Sequence, residues 1–362
     1  MRYETAAVRN FVVAGHGGAG KTSLCALMLF KAKAADRVGS IDAKTSVSDF
    51  TPEEQERRSS IHAAHLSCQW KNYRFIFTDT PGYGEFAGEL VGPFAAADGV
   101  LIVIDAVAGL ETGSMRAWKM AKEANLPHAV LINRLDKETA DFHRVVEQLH
   151  EAFGKSVCVP MTIPLGAESR LGGVFSILGA PEPPSELQGF ASECKEALMD
   201  VIAGSDDKLI EKYLNGQPLS DDELLGGLRK SILSGNLAPV FAGSVAKDIG
   251  IAELMDGLAS LFPNPLERAP FLASDASEIA PSDTGEPSAV VFRSVADPFM
   301  GQLSFLRVLS GRLKPDSDLV NAGNGAKEHL GQLLALNGKT QTPLEEACPG
   351  TICAVAKLKA TK

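Results

Sequence analysis

The sequence predicts an α/β domain, with a mostly parallel sheet, helices on both faces and an inserted subdomain, followed by an all-β barrel. Three observations carry that expectation. Short apolar runs, FVVAG (11–15), RFIFTD (74–79), VLIVID (100–105), HAVLIN (128–133) and APVFAGS (238–244), alternate with stretches of helical periodicity. Buried strands separated by helices imply a parallel sheet covered on both sides. A segment rich in Pro, Ser, Asp and Ala then interrupts the pattern between Pro263 and Pro287. Beyond it the apolar runs are short, regularly spaced and divided by turn residues, as in a barrel.

Taken in order, FVVAG leads through a glycine-rich turn into KTSLCALMLFKAKA, whose apolar residues recur at three and four. IHAAHLSCQW and YRFIF are extended runs joined at Lys71-Asn72, which predicts an antiparallel hairpin on the sheet. GSMRAWKMAKEAN and IAELMDGLASLF are further helices. Between Pro160 and Leu237 the alternation lapses into a mixed stretch containing PLGAESRLGGVFSIL and APEPPSE. Because APVFAGS then resumes the buried-strand pattern, this stretch reads as an insertion. The expected layout is a first domain over 1–264 with its insertion at about 160–237, a linker over 265–287 and a barrel over 288–362. The barrel is expected from AVVFRSV, GQLSFLRVLSG, SDLVNAG, KEHLGQLLAL and TICAVAKL. No internal repeat is evident. Trp70 and Trp118 read as packing residues.

The 362 residues are 45% apolar and 22% charged, enough for two domains with cores of their own. A net charge of −10 argues against a protein that coats nucleic acid without specificity, although a local basic face could still dock on RNA. Cys25, Cys68, Cys158, Cys194, Cys348 and Cys353 lie far apart with no CxxC pair, which suits free thiols in a reducing cytoplasm. The histidines show no metal-ligand spacing. MRYETAAVRNF lacks the apolar stretch of a signal peptide, and VLIVIDAVAGL is interrupted by Asp105 and too short to span a bilayer. A cytoplasmic monomer with no membrane or DNA partner is expected.

GHGGAGKT, Gly15 to Thr22, fits G-x-x-x-x-G-K-[ST] between an apolar strand and a helix. Gly15, His16, Gly17, Gly18, Ala19 and Gly20 would curl their backbone N–H groups around phosphate oxygens. Lys21 supplies a cation for the outer phosphates, and the Thr22 hydroxyl, followed by Ser23, is placed to ligate Mg²⁺. The bland alternative, a glycine-rich turn matching by chance, does not need the strand before and the helix after. DTPG, comprising Asp79, Thr80, Pro81 and Gly82, ends the next strand, so Asp79 can reach the Mg²⁺ shell and the Gly82 N–H can face a γ-phosphate. Alone it could be an ordinary turn. NRLD, comprising Asn133, Arg134, Leu135 and Asp136, closes a later strand. There the Asp136 carboxylate could accept from the ring N–H and exocyclic amino group of guanine, a donor pair that adenine lacks. The competing reading of Asp136 is a helix N-cap. Arg134 has a long stem able to lie over the base. After AGS (242–244), N–H groups at Ser244 and Val245 could meet the guanine O6, an assignment made by position.

These four motifs, in this order, resemble those of translational GTPases, and three further stretches narrow the resemblance to the elongation factor G family. EEQERRSSI (53–61) resembles the end of switch I, usually EQERGITI; PLGAES (164–169) and GGVFSIL (172–178) resemble the inserted subdomain; ADPFMGQLSFLRVLSG (296–311) is similar to the opening of the second domain. The resemblance implies an α/β P-loop GTPase domain followed by an all-β barrel, binding GTP or GDP with Mg²⁺ held by Thr22, Ser60 and Asp79. It implies catalysis by Lys21, Gly82 and Tyr83, and a ribosome partner, both rRNA and ribosomal proteins, met through the barrel and the switch regions. The acidic PEEQE run (52–56) is expected to be a solvated, mobile face of switch I.

The departures from the family pattern are specific. Gly18 replaces an Asp associated with a monovalent cation, Arg58 and Ser59 replace Gly-Ile, Ser60 replaces the Mg²⁺-ligating Thr, Arg134 replaces Lys, and Tyr83 replaces the His that orients the attacking water. Together they resemble diverged elongation factor G-like paralogues. Two functions follow: a GTPase slow alone and faster on the ribosome, or a GTP/GDP-occupancy switch with little hydrolysis because of Tyr83. A third, an ATP-dependent P-loop enzyme, is opposed by Asp136. Since the family carries three further domains beyond the region of Lys362, the sequence is expected to be a piece of a longer protein that binds nucleotide without translocating tRNA.

Overall fold

The computed structural model of the chain describes residues 3–178, 182–273, 276–297 and 301–361. Its first layer system comprises β1 (Val8–Gly15), α1 (Lys21–Lys31), α2 (Pro52–Arg57), β2 (Ala64–Trp70), β3 (Tyr73–Asp79), α3 (Val91–Ala96), β4 (Gly99–Asp105), α4 (Thr112–Glu123), β5 (His128–Asn133) and α5 (Phe142–Phe153). It continues through β6 (Cys158–Pro160), β7 (Thr162–Leu165), β8 (Gly173–Ser176), α6 (Gln188–Ala203), α7 (Asp207–Leu214), α8 (Asp221–Leu233), β9 (Ala238–Ala242) and α9 (Ile251–Leu261). The seven-stranded sheet runs β2-β3-β1-β4-β5-β9-β6. All neighbours are parallel except β2, which pairs antiparallel with β3 so that Trp70 faces Tyr73 across the Lys71-Asn72 turn. β1 begins at Val8, earlier than its apolar run suggested, because Arg9 and Asn10 are buried: Arg9 Nε donates to Ala259 O at 2.9 Å and Asn10 Nδ2 to Ala96 O at 2.7 Å. The edge strand β6 was not foreseen, three residues being too few to show a period.

The core lies between this sheet and its helices. Phe11 stacks on Phe77 (centroids 5.6 Å apart) and meets Phe75 and Phe262 edge-on, while α1 buries Leu24, Leu27 and Met28. Each such side chain stabilises the fold by roughly 1.5–3 kcal/mol. Trp118 stacks on Phe153 at 3.7 Å, and Trp70 Nε1 donates to Asp256 at 2.8 Å, so both tryptophans pack within the domain. Between β6 and β9 stand the hairpin β7–β8 and the helices α6 to α8; Ala180 and Pro181 of the proline cluster lie outside the described residues.

The Pro-rich segment carries a helical turn at Pro265–Glu267 and a small strand pair, β10 (Phe271–Leu272) with β11 (Glu278–Ile279). The barrel region follows: β12 (Ser288–Asp297), β13 (Gly301–Ser310), β14 (Ser317–Val320), β15 (Lys327–Leu330), β16 (Leu333–Asn337), β17 (Thr340–Leu344) and β18 (Ile352–Ala356). Every pairing is antiparallel, in a five-stranded sheet β12-β13-β18-β16-β17 and a β14–β15 ribbon, around Leu306, Val308, Leu330, Leu333 and Val355. Pro298 to Met300 of the family-like stretch lie outside the described residues.

The barrel sits on the first domain through buried polar contacts. Arg307 of β13, 1% exposed, ion-pairs with Asp98 and donates to Ala96 O at 2.8 Å. Arg293 of β12 donates to Ala63 O at 2.7 Å and pairs with Glu89 at 3.0 Å, which brings the barrel against the segments that follow Ser60 and Gly82. All six cysteines are free and buried, and no helix among the described residues is long and apolar enough to cross a membrane.

Candidate nucleotide-binding site

The carboxyl ends of β1, β3, β4, β5 and β9 meet at one rim, where an open cleft of about 780 Å³ is lined by Gly17, Gly18, Gly20, Lys21, Thr22 and Ser23 from the loop entering α1. Ligands in open α/β sheets bind at this end of the strands. Lys21 is buried, and its ammonium donates to His16 O at 2.8 Å. Burial lowers its pKa, and the nearby Asp79 raises it in partial compensation. Opposite stands Gly82, where a Cβ would lie 2.4 Å from Lys21 Nζ and 2.5 Å from Gly17 N, so only glycine lets this backbone approach the loop. Tyr83 covers the loop: a Cβ at Gly17 would lie 2.5 Å from its ring, and 44% of Tyr83 remains exposed.

Thr22 Oγ1 and Ser60 Oγ lie 3.1 Å apart at the floor of the cleft. Beside them, both carboxylate oxygens of Asp79 and both of Asp49 are buried without a hydrogen bond of ordinary geometry among the described residues, the nearby hydroxyls of Thr22 and Ser48 for Asp79 and of Ser60 for Asp49 giving only partial compensation. Burial raises the pKa of Asp79, and raises that of Asp49 to about 7, with the Asp79 charge adding to the latter. Two under-satisfied carboxylates and two hydroxyls around one point form an all-oxygen donor set suited to Mg²⁺, which takes few protein carboxylates and retains waters. Among the described residues no trio of His, Cys, Asp or Glu forms a softer metal site.

On the other side, Asn133 bridges two loops: its Nδ2 donates to Ala19 O at 2.9 Å and its Oδ1 accepts from Val245 N at 3.0 Å. Asp136 accepts from Ser244 Oγ at 2.6 Å. It caps no helix, because the next one, α5, has Asp141 as its N-cap, accepting from Arg144 N. Arg134, at φ 66°, donates to Gly18 O at 3.1 Å and pairs with Asp105 at 2.6 Å, so its guanidinium clamps the P-loop edge to β4.

Several residues singled out in the sequence do not line the cleft, Asp79, Asp136 and Ser244 among them. Thr80 Oγ1 donates to Val13 O at 2.8 Å, tying β3 to β1; Ala19, Pro81 and Leu135 are buried; and Gly15 packs its Cα against Val103 O. The His16 ring accepts from Gly113 N at 3.2 Å and faces Glu111 at 3.3 Å, leaving only its backbone to the loop. The PEEQE run is not simply a solvated face. Glu54 is buried, closes a capping box with Thr51 at the start of α2, and accepts from the N–H groups of Ile61 and His62 at 3.1 Å, thereby fixing the segment that presents Ser60. Asp49 and the apolar wall of Leu27, Phe30, Val38 and Ile41 in the cleft, and Asp105 behind Arg134, are not indicated by any sequence motif. Asp49 gives no signal in a polar loop; for Glu54 the T-x-x-E spacing from Thr51 was a readable one.

Residues 6–264 match the family model described as elongation factor Tu GTP binding domain, and residues 286–362 match elongation factor G domain 2. The chain belongs to the elongation factor G family of translational GTPases. It is similar to elongation factor G of Fervidobacterium nodosum, with 31% identity over 98% of this chain and 54% of that protein. A solved structure of a Thermus thermophilus protein superposes with a TM-score of 0.87 at 30% identity, over 98% of this chain and 53% of that one. The chain thus spans about half the length of these relatives, and what it carries of the family is the GTP-binding domain and the antiparallel β domain that follows it.

Proposed function

We propose that this chain binds GTP and GDP with Mg²⁺ in the cleft and hydrolyses GTP, as the nucleotide-dependent part of a ribosome-associated translation factor. The observation that carries the reading is the convergence of Lys21, Thr22, Ser60 and Asp49 in the lining at one end of the cleft, with the buried Asp79 carboxylate behind them, and of Asn133 and Val245 at the other, where Asp136 is held by Ser244 just behind the lining. One end suits a phosphate–cation pair and the other suits a base with two adjacent donors. Lys21 and the loop amides would hold the β- and γ-phosphates, and the Gly82 N–H would meet a γ-oxygen. Mg²⁺, when bound, neutralises charge shared by the β- and γ-phosphates. The Tyr83 hydroxyl can hold a water by hydrogen bonding, but a phenol has no cationic form, so slow intrinsic turnover is expected.

The ribosome as partner is proposed from the elongation factor G relative, with the barrel and the switch segments as the docking face. Phosphate release from GTP, measured with and without ribosomes for wild type, Lys21→Ala and Tyr83→His, tests the whole reading. Expected are release by wild type, its loss in Lys21→Ala and faster release in Tyr83→His. Release at background in all three proteins, with GTP still bound, would leave only an occupancy switch.

A further inference from the structure

We propose that Arg58 is a further catalytic residue of this site, its guanidinium supplying from within the chain a second positive charge to the γ-phosphate during transfer to water. The inference rests on the GTP-hydrolysis reading above. Arg57 and Arg58 are neighbours with different engagements. Arg57 ion-pairs with Glu85 and stacks over Phe86 at 5.1 Å, so it is committed to the segment after Gly82. Arg58 instead lines the cleft together with Gly17, Lys21, Ser60 and Tyr83. Among the described residues its ion pair is with Asp42 at 3.5 Å, and both side chains are largely exposed, a pairing that a phosphate can displace.

The backbone gives a second, independent reason. Arg58 caps the C-terminus of α2 at φ 54°, ψ 39°, in the left-handed region where a helix end favours glycine and a Cβ is strained. Positive φ recurs at several turns of this chain, and Arg58 shares it with Arg134 and Asp248 in the cleft lining; at Arg58 a glycine would relieve the cap, so the retained side chain is consistent with a use for it. Of the other cations at the cleft, Arg134 is clamped between Asp105 and Gly18 O, Lys21 sits within the loop, and Lys137 follows Asp136 on the far side from Ser60 and offers a single ammonium in place of a planar fork. With Tyr83 opposite and no side chain at Gly18, Arg58 is the group able to place paired N–H donors on a γ-phosphoryl oxygen. Ser60, two residues on, is already 3.1 Å from Thr22, which anchors this segment at the phosphate end. In the reaction a water oxygen bonds to the γ-phosphorus, the bond to the β–γ bridging oxygen breaks, GDP departs with that electron pair, and the water's proton ends on phosphate. Arg58 keeps its protons throughout and acts only by charge and hydrogen bonding.

Single-turnover GTP hydrolysis by the chain, in wild type, Arg58→Ala, Arg58→Gly and Arg58→Lys, tests the inference. Alanine keeps the strained Cβ and removes the charge, whereas glycine also relieves the cap. Expected are a loss of roughly tenfold or more in rate for both, with GDP affinity and the KM for GTP within about twofold of wild type, partial activity in Arg58→Lys, and a raised Tm in Arg58→Gly. A slower yet more stable enzyme is not what a structural role produces. Wild-type rates in Arg58→Ala and Arg58→Gly, or losses matched by weaker nucleotide binding, overturn the proposal while GTP hydrolysis stands. A wild-type chain that releases no phosphate overturns both.

Discussion

Thr22 Oγ1 and Ser60 Oγ lie 3.1 Å from each other, although 38 positions separate them in the chain. The first comes from the P-loop helix and the second from a segment held in place by the buried carboxylate of Glu54. Two hydroxyls brought together beside two under-satisfied carboxylates predict a metal-dependent nucleotide affinity. Chelation of Mg²⁺ should accelerate GDP release, and Ser60→Ala should weaken Mg²⁺-dependent GTP binding more than GDP binding. Fluorescent-nucleotide dissociation rates with and without chelator check this, and equal rates in the two conditions would exclude Mg²⁺ from the site.

Asp136 accepts from Ser244 Oγ at 2.6 Å, which fixes its carboxylate against the loop after β9, where it is proposed to read the base. Asp136→Asn should lower guanine-nucleotide affinity by roughly tenfold or more, because a donor then faces the guanine N–H, and should raise preference for xanthine nucleotides, whose C2 carbonyl needs that donor. Competition of GDP, XDP and ADP against labelled nucleotide reads the change. An unaltered preference for guanine would show that another group reads the base.

Arg307 and Asp98 form a buried ion pair between β13 and the start of β4, with Arg268 also 3.7 Å from the same carboxylate. Arg307→Leu should destabilise the chain by about 3–5 kcal/mol, since it leaves a buried charge short of its principal partner. Urea unfolding measures the loss. A change under about 1 kcal/mol would mean that water or Arg268 replaces the missing guanidinium.

Burial holds the His65 pKa down at about 3, with the charge of Arg293 contributing, and holds that of His128 at about 4, also chiefly by burial. An unfolded histidine titrates near 6.5, so the unfolded chain takes up protons first as pH falls. The stability contributed by each neutral ring is present above about pH 6.5 and is lost toward the folded pKa, at about 1.4 kcal/mol per pH unit per site once the unfolded ring is charged. His65→Gln removes one of these, so the stability advantage of wild type over this variant should shrink as pH falls from about 7 to about 5. A pH-independent difference would show that His65 is protonated or hydrated in the folded chain.

Much of the α/β half was legible because its strands are buried on both faces and read as continuous apolar runs, and because the nucleotide motifs are local. Gly15 to Thr22, Asp79 to Gly82 and Asn133 to Asp136 each lie at a strand end, where backbone direction follows from the strand itself. Asp49 carries no such signal, and the T-x-x-E spacing of Glu54 from Thr51 signals its capping role but not its grip on Ile61 and His62. Each is an acidic residue in a polar segment, and such residues are usually solvated; only the closing of residues 46–62 over the cleft buries them. The partners of the Arg134 guanidinium were likewise open in the sequence; it reaches Asp105 and Gly18 O while the residue still lines the cleft.

By itself the sequence determined β1, β3, β4, β5 and β9, the β2–β3 hairpin, the helices α1, α4 and α9, the glycine-rich loop and its two companion motifs, and the shift to an antiparallel β region, because periodicity, glycine placement and turn chemistry act over a few residues. Tertiary structure alone decided which polar groups are buried together. It set Ser60 against Thr22, left Asp49 and Asp79 under-satisfied, turned Arg57 to Glu85 while Arg58 lines the cleft, and locked Arg307 onto Asp98. These pairings join segments distant in the chain, and their energies depend on desolvation, which no local stretch of sequence encodes.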